Sequence, residues 1–321
     1  MGMMVEGRWV SDPELRELRG SDGSFVRKPS AFHERITADG SSGFPVEAGR
    51  YHLYVSRACP WAHRTAIIRS LKGLESSISL SSVAPFMGEG GWQFDADFDD
   101  PLHGSDYLRE IYAKADPAYT GRVTTPVLWD KQRETIVNNE SREISRMLTI
   151  EFDALAENDL DLCPADLRRK IDATIDAIYE PVNNGVYRSG FATTQAAYEE
   201  AVTELFDALD YWDSVLADNR YLCGKDITEA DIFLFTTLVR FDAVYHGHFK
   251  CNIRRIEDYE HLSGYLRDLY QTPGVAETVD IPHIKRHYYT SHESVNPTRI
   301  VPKGPVLDLE APHGREKLGA A

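Results

Sequence analysis

Three things are scarce in this sequence. Cysteine occurs four times, at Cys59, Cys163, Cys223 and Cys251, and no two of them form a Cys-x-x-Cys pair. That excludes a zinc ribbon and leaves no disulfide framework. Lysine is rare, at ten of 35 basic residues, against 51 acidic ones. The formal charge of −16 argues against a nucleic-acid partner, whose phosphates need a basic surface. Acid surplus with little lysine fits a salt-adapted protein and an ordinary acidic enzyme about equally; it speaks to solubility and not to fold. Long apolar runs are also missing. None approaches the ~20 residues of a membrane span. No charged-then-apolar leader opens the chain, and Glu6 occupies the Ser/Thr place of a myristoylation pattern. A cytoplasmic protein without a membrane partner is expected.

What is present centres on Tyr51 to Thr65, YHLYVSRACPWAHRT. Tyr51 to Val55 is aromatic and β-branched, as a strand requires. Pro60 suits the first position of a helix, where its missing N–H costs nothing. Ala62, Ile67 and Leu71 then recur at helical spacing. Cys59 is therefore expected at a strand-to-helix junction. Free N–H groups and the positive end of the helix dipole favour an anion there, and thus the thiolate, which is the reactive form of cysteine. The plainer reading is a small hydrophobe in a βα turn. A thioredoxin motif would have cysteine where Ala62 stands. With no resolving thiol in place, the pattern points to monothiol exchange, the second thiol arriving from solution.

In chain order, residues 1–48 read as an N-terminal arm. Residues 49–150 contain a strand at 51–55, a helix at 60–71, a strand at 78–84, a helical run near 107–114, strands at 127–129 and 135–137, and a helix to Ile150. This order, βαβ then ββα, is that of a thioredoxin-like domain. Residues 161–290 show helical periodicity and no strand-like alternation, so an all-α domain is expected there. Residues 291–321 form a tail that holds four prolines from Pro297 on and should be irregular. The fold class expected is α/β plus all-α.

Other motifs each admit a plainer alternative. Thr125-Pro126 enters a strand. A cis proline there would leave the Thr125 backbone free to pair with a peptide-like ligand; a trans proline at a strand edge is the alternative. Glu140-Ser141 opens a helix and suits the ammonium and carboxylate of a γ-glutamyl group, or is simply a cap. Trp92, in a Gly-rich loop, either covers a ligand or fills a gap. His246, His248 and Cys251 match no standard zinc spacing, and no metal is expected. His283 and His287 have no general-base Glu between them. Cys163-Pro164 also precedes a helix but lacks a preceding strand, and reads as structural.

Together these residues resemble the glutathione transferase superfamily, in particular its Xi class, the glutathionyl-hydroquinone reductases. The resemblance spans roughly residues 45 to 305. It rests on CPWAHRT at 59–65, GGWQF at 90–94, PVLWD at 126–130 and NNES at 138–141. More specific are ITEADIFLFTTLVRFDAVY at 227–245, HFKCN at 248–252 and HYYTSHESVNPTRIVPKGP at 287–305. It implies a thioredoxin-like domain followed by a helical glutathione-transferase domain, in a homodimer. It implies Cys59 as nucleophile, with Trp92, Arg122, the Thr125 backbone, Glu140 and Ser141 holding the thiol. Tyr187 and Tyr288 would meet an aromatic substrate. The co-substrate would be glutathione, or γ-glutamylcysteine, which shares the same contacts. The family usually has Val before the proline; Thr125 departs from this, with little consequence for a backbone contact. Two other readings stay open: a glutaredoxin-like thiol transferase that removes glutathione from mixed disulfides, and a non-catalytic transferase fold that binds ligands or partners.

Overall fold

The computed structural model describes residues 2–11 and 20–319. These divide into two compact units. One comprises residues 2–11, Lys28–Leu160 and Pro282–Ser291. The other comprises residues 20–27, Asp161–Ile281 and residues 292–319.

The first unit opens with a hairpin of β1 (Met3–Val5) and β2 (Arg8–Val10), which the expectation of an N-terminal arm did not foresee. Then follow β3 (Tyr51–Val55), α1 (Pro60–Leu71), β4 (Ile78–Ser82), a small hairpin of β5 (Met87–Gly88) and β6 (Gly91–Trp92), α2 (Leu108–Ala115), β7 (Val127–Asp130), β8 (Thr135–Asn138) and α3 (Ser141–Ile150). The main sheet has the order β4-β3-β7-β8. β4 runs parallel to β3, as the α1 crossover demands, while β7 and β8 are antiparallel to their neighbours. All five residues of β3 are buried, which explains why its sequence shows no polar alternation. Tyr54, Val127, Trp129 and Ile136 join Ile111 and Tyr112 of α2 in one core. Each such side chain contributes about 1.5–3 kcal/mol on burial. α1 and α3 pack together, α3 presenting Ile144, Met147 and Leu148. Arg50 and the fully buried Asp130 are ion-paired where β3 and β7 begin and end.

The second unit is helical: α4 (Arg168–Ile178), α5 (Gly185–Phe191), α6 (Gln195–Asp218), α7 (Glu229–Arg240), α8 (His246–His248) and α9 (Leu262–Tyr270). α7 is its centre, with all twelve residues buried. Its start is a capping box. The backbone N–H and hydroxyl of Thr228 donate to Asp231 Oδ2 at 2.8 and 2.9 Å. Leu222 N–H and the Tyr265 hydroxyl donate to Oδ1, both at 2.8 Å. Two π-helical turns, Tyr179–Asn183 and Phe241–Tyr245, follow α4 and α7. The first aims Asn183 at α7, where its amide donates to Phe233 O and Thr237 Oγ1 at 2.9 and 2.8 Å. The irregular tail is pinned by Arg315. Its guanidinium donates to Leu216 O, Asn219 O and Arg220 O at the end of α6, at 3.0, 2.6 and 3.0 Å.

The last helix, α10 (Ile281–Ser291), returns to the first unit with its residues 282–291. The all-α domain expected over residues 161–290 overlaps this helix. Among the described residues no helix is long and apolar enough to cross a membrane.

Candidate active site

Cys59 caps the N-terminus of α1. Its backbone is extended (φ −75°, ψ 119°), Pro60 stands first in the helix, and Cys59 O accepts from His63 N at 3.0 Å. The half-buried side chain makes no capping bond. Its Sγ lies 3.5 Å from the Thr125 carbonyl oxygen, to which the thiol donates. Ahead of it lie the first-turn N–H groups, which have no acceptor within the helix.

The Thr125–Pro126 peptide is cis. The loop before it is held by side chains. The Tyr112 hydroxyl donates to Thr124 O at 2.9 Å and accepts from Thr124 N at 3.2 Å. Asn139 donates to that hydroxyl at 3.0 Å, and its Oδ1 accepts from Ala31 N and Phe32 N at 3.2 and 3.0 Å. The arm, α2, the proline loop and the start of α3 are thereby joined. Arg122, half-buried, lies in the same loop, and its carbonyl accepts from the Tyr119 hydroxyl at 2.8 Å.

Glu140 caps α3, accepting from Arg142 N at 3.3 Å and from Ser30 Oγ at 2.9 Å. Ser141 donates to Glu140 at 3.4 Å and accepts from Arg64 Nη1 at 3.4 Å. Arg64, only 2% exposed, lies over the Trp61 ring with its guanidinium carbon 4.4 Å from the centroid. A buried cation and the positive end of α3 therefore converge on one hydroxyl, an arrangement suited to a carboxylate.

Trp92 ends the β5–β6 hairpin, whose turn is held from two sides. On one side Trp9 Nε1 donates to Glu89 O at 2.9 Å, and Arg109 donates to Gly90 O. Gly91 is required there: its φ is +83°, and a Cβ would stand 2.9 Å from the Trp9 ring. On the other side is α10. The His287 ring lies parallel to Trp92, with centroids 4.8 Å apart and 20° between planes. His287 Nδ1 is 2.9 Å from Pro85 O, so this nitrogen carries the proton. Ser291 Oγ accepts from Met87 N at 3.0 Å. Tyr288, the neighbour of His287, is 1% exposed.

Tyr187 lies on α5 in the helical unit. It packs among Phe25, Phe191, Tyr245 and Phe249, with the Arg27 guanidinium 5.1 Å from its ring centroid. Of the residues singled out in the sequence, the structure thus joins Cys59 to Thr125 and Glu140 to Ser141. It sets Trp92 against the neighbour of Tyr288.

The rival features resolve differently. Cys163 is buried, and its N–H donates to Asp161 at 2.9 Å. Burial pushes the Cys251 thiol up to about 12. His248 is paired with His292 at 3.1 Å, and burial draws it down to about 4. Among the described residues no group of three or more His, Cys, Asp or Glu could hold a metal. Sequence reasoning missed Arg64, Tyr112, Asn139 and His287. Only Arg64 left a local signal, since a cation near a helix N-terminus opposes the dipole.

Two family profiles match the chain: "Glutathione S-transferase, N-terminal domain" over residues 58–149 and "Glutathione S-transferase, C-terminal domain" over residues 195–268. The chain is 52% identical to the glutathionyl-hydroquinone reductase YqjG of Escherichia coli, over 98% of this chain and 99% of that one. Among solved structures it is similar to a Xi-class glutathione transferase from Natrialba magadii, with TM-score 0.93, 55% identity, and coverage of 99% of this chain and 97% of that one. It is also similar to the glutathione-bound structure of YqjG, with TM-score 0.90, 50% identity, and coverage of 98% and 99%.

Proposed function

Since the chain belongs to the Xi class of glutathione transferases, the family of the glutathionyl-hydroquinone reductases, we propose that it removes glutathione from glutathionyl-hydroquinones by way of a Cys59 mixed disulfide. The observation that carries this reading is the placement of the Cys59 thiol at the α1 N-terminus, 3.5 Å from Thr125 O.

In this reaction the Cys59 thiolate attacks the sulfur of the bound conjugate. The carbon–sulfur bond of a keto tautomer breaks, its electron pair passes through the ring to the carbonyl oxygen as the ring becomes aromatic again, and that oxygen takes a proton as hydroquinone leaves. Protonation of the sulfur-bearing ring carbon before the attack forms this tautomer and makes the ring a competent leaving group. Tyr288 and Tyr187 are assigned to the ring, one hydroxyl able to deliver the proton and one to bind the ring oxygen. Cys59 is left as a disulfide with glutathione. A second glutathione thiolate attacks that disulfide, restores the Cys59 thiolate and departs as oxidised glutathione. No second enzyme cysteine takes part, and the kinetics are ping-pong.

Thiol recognition follows the same logic. The α3 N-terminus, Ser141 and the Arg64 behind it suit the γ-glutamyl carboxylate, and Glu140 suits the ammonium. The Thr125 backbone would pair with the cysteinyl unit, and Trp92 and Arg122 would border the far end. γ-Glutamylcysteine presents the same groups apart from the terminal glycine. As in the family resemblance, the working form would be a cytoplasmic homodimer, which sedimentation would test. The decisive experiment is turnover of a glutathionyl-hydroquinone by the parent protein and by Cys59→Ser. Retained turnover in the variant would remove this mechanism.

A further inference from the structure

We propose that His287 is a positioning residue for the thiol site: it holds the Trp92 ring in place and ties it to the helix that carries Tyr288. The inference rests on the assignment of Trp92 to the thiol site made above.

The hairpin that ends in Trp92 has strands of only two residues each, Met87–Gly88 and Gly91–Trp92. So short a ribbon cannot fix a large side chain by its own ladder. Trp9 and Arg109 hold its turn, and α10 holds the rest at three levels. Met87 N–H, at the start of the hairpin, donates to Ser291 Oγ at 3.0 Å. Pro85 O, two residues earlier, accepts from His287 Nδ1 at 2.9 Å. The His287 ring, oriented by that bond, lies flat on Trp92 at 4.8 Å. His287 and Ser291 are four residues apart and share one face of α10. The start of the hairpin and the segment before it therefore seat on that face, and His287 closes one side of Trp92, which also packs against the core of the first unit.

The choice of histidine follows from these contacts. The position needs a flat ring for the stack and an N–H on that ring for Pro85. Phenylalanine lacks the donor, and the ring of tryptophan is larger than the one now filling a position only 5% exposed. Because Tyr288 follows directly in the helix, the residue assigned to the thiol and one assigned to the aromatic ring share a single rigid support. Displacement of Trp92 should then be felt first in thiol binding.

The test is a double-mutant cycle on glutathione affinity, measured by calorimetry in the Cys59→Ser background so that no disulfide forms. Parent, Trp92→Ala, His287→Ala and the double variant are compared, with melting temperatures alongside. His287→Ala should weaken glutathione by about three- to tenfold, and it should weaken it by less than about twofold once Trp92 is already alanine, since contacting residues couple. A general loss of packing would instead add to the Trp92→Ala effect. Should His287→Ala not fold, Ser291→Ala loosens the same seat more gently, and the same non-additivity is expected in smaller measure. Unchanged affinity in a folded His287→Ala protein, or fully additive losses, would overturn the proposal. These outcomes are separable from failure of the underlying reading. If Trp92→Ala itself leaves affinity unchanged, the thiol-site assignment falls, and His287 with it; if only the coupling is missing, that assignment stands.

Discussion

The Cys59 sulfur stands 3.5 Å from the carbonyl oxygen of Thr125, a residue 66 positions further along the chain. The contact sets the α1 thiol against the loop that enters β7. Replacement by serine keeps the shape and removes the ionisable thiol. Cys59→Ser should lose reductase turnover and take up no glutathionyl group from oxidised glutathione by intact mass, yet keep its fold and thiol affinity. The buried Cys163 should behave oppositely, Cys163→Ser turning over like the parent. An equal loss there would move the nucleophile.

The tyrosines should separate two reactions. Tyr187→Phe and Tyr288→Phe remove only a hydroxyl. On glutathionyl-hydroquinones, where carbon must be protonated, the rate should fall about a hundredfold or more. On simple glutathione mixed disulfides it should fall far less. Equal losses on both substrates would mean that the rings only shape the pocket.

The donor thiol should be interchangeable. The γ-glutamyl contacts proposed for Glu140, Ser141 and Arg64 would be common to glutathione and γ-glutamylcysteine. Both should resolve the Cys59 mixed disulfide with single-turnover rates within about tenfold, or ~1.4 kcal/mol. Molar salt should not inactivate the protein, because it screens repulsion among the excess carboxylates. A strict demand for glutathione together with inactivation by salt would contradict both statements.

Acid should weaken the sheet through His52. This residue of β3 is fully buried between Ser79 Oγ and Ser81 Oγ, at 2.8 and 2.7 Å, and burial lowers its pKa from 6.5 to about 4. The unfolded chain therefore takes up the proton first. Stability from this group is complete above pH 6.5 and declines as pH falls towards 4, by about 3 kcal/mol in total. Melting temperature should drop across that window. His52→Gln, which is polar but does not titrate, should flatten the slope; an unchanged slope would clear His52 of the effect.

Arg315 should hold the tail. Its guanidinium meets three carbonyls at the end of α6, where a cation also complements the helix dipole. Arg315→Ala should cost about 2–3 kcal/mol, the loss of a buried charged donor set. Limited proteolysis should then cut residues 301–314 faster than in the parent. A variant as protease-resistant as the parent would assign the tail's order to other contacts.

The legible parts of the molecule were those encoded over a few adjacent residues. Strand β3, helix α1 and the Cys59–Pro60 junction were visible because propensity, the helix-start proline and the apolar spacing agree within fifteen residues. The Glu140–Ser141 helix start was visible for the same reason. The β1–β2 and β5–β6 hairpins were not, since strands of two or three residues carry no period. Trp92 could not be assigned from sequence, because what fixes it comes from Trp9, Arg109 and His287, which lie far away in the chain. The π turn at 179–183 sets Asn183 against Phe233 and Thr237 of α7, contacts that no local pattern announces. Arg64 reads locally as a flaw and is explained only by Ser141, 77 positions on.

The return of α10 to the first unit gives the protein an order of assembly. During synthesis, everything from the hairpin of β1 to the end of α3 leaves the ribosome long before residues 282–291 do. The half that carries Cys59 must wait through the whole of α4 to α9 before the helix that seats Trp92 is made. A nascent chain stalled in the helical half would hold Cys59 on a sheet already able to form, with the Trp92 hairpin held only from the side of Trp9 and Arg109. Cys59 would then precede the last support of the proposed thiol site, and the final stretch of translation would complete it.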